Sequence, residues 1–148
     1  MVPPARLTRA AASAILASMT ALFVIGLIFA GLAALIHVYI FMLESLRWTK
    51  PSTWKIFGIA NQADANTLKP MAYNQGFYNL FLTIGIVVGM LLLSSNRPAG
   101  LALIFMGTAS MVLAALVLIS TGRSNARPAA IQGVLPLLAI VFLVLSLA

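Results

Sequence analysis

Residues 71–93 read MAYNQGFYNLFLTIGIVVGMLLL, an apolar run whose polar side chains are gathered at one end. Asn74, Gln75, Tyr78 and Asn79 stand in its first two turns, and Gly85 and Gly89 follow deeper in. A run of about 20 apolar residues is the length that crosses a bilayer as a helix. Polar groups are costly there and are retained where they have a partner or a task. Three further runs of this kind flank it, so the chain predicts an all-α, four-helix transmembrane bundle forming one domain over 1–148. The expected helices cover about 15–46, 71–93, 99–119 and 129–148. With four spans, both termini fall on the same side.

Composition agrees with this class. Of 148 residues 62% are hydrophobic and 7% are charged, with a mean hydropathy of +1.08. A soluble domain carries roughly 25% charged residues to cover its water-facing surface. The four spans consume most of the chain and leave no room for a separate soluble domain. Arg6 and Arg9 precede the first run as in a signal peptide, but the run extends from near Ala10 to Leu43. A signal peptide's apolar core is only about 7–15 residues, so the segment is expected to stay as a membrane helix. Pro51 ends its extension beyond the bilayer.

The stretch from Thr49 to Pro70 is expected to form an interfacial loop, with Trp48 and Trp54 anchored at the headgroup level. Residues 94–98 and 121–127 make short turns, with Gly122 as a helix C-cap and Pro128 in the first helical positions. The first and third loops carry Arg47, Lys50, Lys55, Lys69, Arg123 and Arg127, against Arg6, Arg9 and Arg97 opposite. That bias predicts a multi-pass protein of the inner (cytoplasmic) membrane with loops one and three in the cytoplasm.

The chain has no cysteine and one histidine. Thiol catalysis, disulfides, thiolate metal sites and an intrachain bis-histidine haem are thereby excluded, and no metal or cofactor is predicted. Nine Lys and Arg against two Asp and Glu give a net charge of +7. The basic residues are spread over tails and loops, which suits anionic membrane lipids as partners and not nucleic acid.

Threading the runs brings the polar ends together. His37 and Glu44 lie where helix 1 enters loop one, Asn74, Gln75, Tyr78 and Asn79 where helix 2 leaves it, and Gln132 where helix 4 leaves loop three on the same side. His37 and Glu44 are seven apart, within about 20° on one helical face. By the same count Asn74, Tyr78, Gly85 and Gly89 share a face, and Gly85 with Gly89 makes a GxxxG pair suited to close helix approach. Gly100, Gly107 and Ala114 predict an inner seam on helix 3. The opposite leaflet has no comparable polar set, so a cup is expected rather than a pore. Its candidate lining is His37, Glu44, Asn74, Gln75, Tyr78, Asn79 and Gln132, with His37 and Glu44 the candidates for proton chemistry.

The segments ALIHVYIF (34–41) with Glu44 and Trp48, KIFG (55–58), NQGFYN (74–79) and IQGVLP (131–136) resemble a family of small bacterial four-helix membrane proteins of unknown function. The resemblance runs from about Leu32 to the C-terminus. It implies a bacterial inner-membrane location and the same polar set as hallmark. Members are in places labelled epimerase, but the resemblance supplies no established activity. Three functions fit these residues. The leading one is a protein holding a lipid-like ligand, or an accessory protein. The second is an isomerase or epimerase acting on an isoprenoid, quinone or sterol-like substrate, with Glu44 and His37 as acid and base. The third is a structural subunit of a homo-oligomer or larger membrane complex.

Overall fold

A computed structural model describes residues 9–148, so Arg6 lies outside the described residues. In chain order there are α1 (Arg9–Phe41), a wider π-helical turn (Met42–Leu46) and a short α2 (Pro51–Trp54) that runs into a 3₁₀ turn (Lys55–Phe57). Then follow α3 (Gln62–Leu92), α4 (Arg97–Ser120), a second 3₁₀ turn (Arg123–Asn125) and α5 (Ala126–Leu145). Four of these helices are long and apolar enough to span a membrane. No strand occurs among the described residues.

The four long helices run alternately up and down. α1 packs on α3 and α5, and α4 packs on the same two from the other side. Phe29 stacks on Phe142 with ring centroids 5.5 Å apart, which sets α1 and α5 in antiparallel register. The described ends of the chain therefore lie at the same end of the bundle as the 93–96 turn. Arg97 there places its guanidinium over the Phe23 ring, 4.8 Å from the centroid.

Small residues hold the bundle together, because helices in lipid associate by close packing rather than by escape from water. Ala30, Ala33 and Ala34 of α1 meet Ile86, Ile104, Met111, Ala139 and Leu143 in the buried centre. The tightest crossing is reciprocal. A Cβ on Gly89 would come within 2.7 Å of the Gly100 carbonyl oxygen, and one on Gly100 within 2.6 Å of the Gly89 oxygen. Gly85 has open space beside it, so the expected GxxxG pairing is corrected: Gly89 works with Gly100 of the next helix. On α4 the buried line is Gly100, Ile104, Gly107, Thr108, Met111 and Ala115, and Ala114 is exposed. At about 100° per residue the buried residues centre about 30° to one side of Gly100, and Ala114 falls about 70° from that centre whereas Ala115 falls about 30° from it.

The longest departure from expectation is at the start of α3. It begins at Gln62 rather than near Met71 and carries Pro70 inside it. Asn61 and Asp64 cap it reciprocally. The Asp64 amide donates to Asn61 Oδ1 at 2.9 Å, and Asn61 Nδ2 donates to Asp64 Oδ2 at 2.9 Å. Pro70 forfeits the helical bond to the carbonyl of Asn66, an exposed residue where solvent can take the partner's place. The two tryptophans pack on this extension and are buried rather than exposed on the outer surface. Trp48 is 6% exposed and donates from Nε1 to the Ala65 carbonyl at 2.7 Å. Trp54 is 5% exposed and donates to Gln62 Oε1 at 3.2 Å. The first loop is thus a folded cap on the protruding end of α3.

Candidate functional site

The end of α1, the cap and the start of α3 meet around Glu44. Its helix widens into the π turn there, a local irregularity that recurs at functional positions and changes the direction of a side chain. Two contacts seat the turn on α3. Ser45 Oγ donates to the Tyr73 carbonyl at 2.9 Å. A Cβ on Gly76 would collide with Ser45 Oγ and come within 3.1 Å of Glu44 Cβ, so only glycine lets the helices approach. Deeper in, Thr83 Oγ1 donates to the Ala34 carbonyl at 3.2 Å.

Glu44 is 8% exposed, and its Oε2 accepts from Asn79 Nδ2 at 2.9 Å. The same amide group donates to the Gln75 carbonyl at 3.1 Å, which fixes the Asn79 rotamer. No Lys or Arg makes an ion pair with Glu44 among the described residues. A shallow open cleft of about 310 Å³ begins at this carboxylate. Trp48 and Phe57 of the cap form one wall, with ring centroids 5.2 Å apart. Leu68, Met71, Ala72, Asn74 and Gln75 of α3 form the other. A larger hollow of about 630 Å³ lies along α1 beside Leu16 and Val24. It is a surface groove at the opposite end of the bundle, and its Thr20 hydroxyl is already bonded to the Leu16 carbonyl, so it holds none of the candidate residues.

The structure divides the expected set. Glu44, Asn74, Gln75 and Asn79 come together, three lining the cleft and Asn79 holding Glu44 from behind. Tyr78 does not join them, because it is 57% exposed on the outer face of α3. The buried face of α3 carries Ala72, Gly76, Asn79, Thr83, Ile86 and Gly89. That is about 130° round the helix from the face expected to hold Asn74, Tyr78 and Gly85. His37 is 1% exposed inside the bundle and does not line the cleft. Its Nδ1 donates to the Ala33 carbonyl at 2.9 Å, since a carbonyl only accepts, so in the neutral ring Nε2 carries the lone pair. Gln132 is half-buried on α5, level with His37 in the antiparallel register, and is also absent from the cleft.

Sequence reasoning missed three residues here. Gly76 and Thr83 bring the helices together, and Phe57 completes the aromatic wall. The first two were legible as small residues on the Ala72-Gly76-Asn79-Thr83 line, spaced by four, three and four. No group of three or more metal-ligating side chains occurs among the described residues.

A family described as protein of unknown function, DUF1304, matches residues 31–144. The chain belongs to this family. The matched span holds every candidate residue and the whole cleft, and leaves out the first part of α1. No curated protein and no solved structure matches the chain.

Proposed function

We propose that this DUF1304 protein binds a lipid-like amphiphile at the cleft between the cap and α3, in a bacterial inner membrane with loops one and three on the cytoplasmic side. The observation that carries the reading is Glu44, a buried carboxyl group held on one oxygen by Asn79, in a residue that lines the cleft with Trp48 and Asn74. A buried charge without a protein counter-charge is costly in a structural role. Facing a cleft of polar amides and aromatic rings, it is suited to a ligand. The cleft adjoins the end of the first apolar span, Arg9–Leu46, beside the polar cap, and this supports a site for an amphiphile's headgroup. Six basic residues at this end support the cytoplasmic assignment.

The isomerase reading requires His37 and Glu44 to act on one substrate, and His37 stands apart from the cleft with Nδ1 committed to Ala33. Binding therefore remains the better-supported function. The test is cross-linking in membranes with a photoactivatable diacyl phospholipid, followed by peptide mapping. Adducts concentrated on residues 68–75 and on the cap support the reading. Adducts spread evenly over the exposed apolar faces of all four long helices would overturn it.

A further inference from the structure

We infer that the cleft takes the ammonium group of a zwitterionic headgroup, so that its ligand class is an aminophospholipid. This rests on the reading of the cleft as an amphiphile site. The chain has two acidic residues, and they differ in kind. Asp64 is exposed and engaged in the cap of α3 with Asn61. Glu44 is buried, and its one hydrogen-bond partner among the described residues is the neutral Asn79 amide. That bond satisfies one carboxylate oxygen, and no cationic side chain pairs with Glu44 among the described residues, so a buried carboxylate here either holds a proton or takes a cationic partner from outside the chain. An ammonium group in the cleft would supply that partner.

The rest of the lining agrees with a cation. Ring faces attract ammonium groups, and Trp48 with Phe57 supplies two aromatic rings beside the carboxylate. The Asn74 and Gln75 side chains supply amide oxygens for its N–H donors. The exposed charges on the same segments have the opposite sign. Arg47 adjoins Trp48 and Lys69 adjoins Leu68, and both basic residues are exposed. Exposed basic residues on the segments that form the cleft disfavour a simple cation and favour a phosphate, so the ligand they suit carries its ammonium inward and its phosphate outward. At about 310 Å³ the cleft is at the small end of ligand sites, enough for a headgroup, with acyl chains left on the lipid-facing surface near Met71.

The test is native mass spectrometry of the protein in detergent micelles titrated with three lipids of identical chains. These are phosphatidylethanolamine, its N-acetylated derivative, which keeps the phosphate and loses the ammonium, and phosphatidylglycerol. The wild type is expected to retain phosphatidylethanolamine about tenfold better than either of the others, the scale of one charge-assisted contact. Glu44→Gln keeps an acceptor for Asn79, and its fold is checked by circular dichroism. It should bring the three lipids to within about twofold of one another. Phe57→Leu, on the cleft wall, should weaken the amine lipid alone. Equal retention of all three lipids, abolished when Gln75→Trp fills the cleft, would overturn the ammonium assignment and leave the amphiphile site standing. Retention that Gln75→Trp does not change, or no retention at all, would overturn both.

Discussion

Removing the Asn79 amide strands the Glu44 carboxylate, and that asymmetry gives the sharpest prediction at the residue scale. Asn79→Ala leaves a buried carboxyl acceptor without its donor, a loss of about 1–3 kcal/mol. Replacing both partners, Glu44→Leu with Asn79→Leu, should recover much of that loss, because the polar requirement disappears from both sides. Denaturant unfolding of the four members of this cycle in micelles measures the coupling. A double variant no more stable than Asn79→Ala would mean the pair is not the source of the cost. Trp48 gives a second case. Trp48→Phe keeps an aromatic ring and deletes the 2.7 Å bond to the Ala65 carbonyl, so the cap should loosen from α3. Trypsin cleavage at Lys55 is expected to accelerate while the spans stay intact.

At the scale of helices, the crossing of the π turn over α3 depends on one missing side chain. Gly76→Ala drives a methyl into Ser45 and Glu44, whereas Gly85→Ala, on the same helix, enters open space. The first should lower thermal stability and disturb the cleft. The second should be neutral or slightly stabilising, since alanine is the better helix former by about 1 kcal/mol. Equal effects in the two variants would contradict the packing described for α3. The contrast also explains which part of the site was readable beforehand. Glu44 and the NQGFYN segment stood out because charged and amide side chains are rare in apolar runs. Their rotation did not stand out. Asn74, Tyr78 and Gly85 share a face as truly as Ala72, Asn79 and Thr83 do, and periodicity alone cannot say which of two such faces meets a neighbour. α1 chose between them, since its π turn needs the room that Gly76 leaves and its Ala34 carbonyl accepts from Thr83.

For the whole molecule, the proposed orientation has a clean test because the chain has no native cysteine. Ser52→Cys reports on loop one and Ser95→Cys on the turn between α3 and α4, and both positions are exposed. A membrane-impermeant maleimide added to intact spheroplasts is expected to label the second and to reach the first only after lysis. The opposite pattern would place the cap and its cleft on the outer side and would reverse the basic-residue assignment.

Hydropathy and length by themselves determined the four spans, their alternating direction and the clustering of polar ends at one end of the bundle. Those properties follow from the chemistry of each segment in lipid, whatever its neighbours. Packing alone decided the rest. It extended α3 back to Gln62, buried Trp48 and Trp54 in a cap, turned Tyr78 outward and left His37 out of the cleft that Glu44 lines. Each of these depends on how one helix face fits a particular face of another. That fit is set by side-chain volume across the contact, as Gly89 against Gly100 and Gly76 against Ser45 show, and no single segment carries that information.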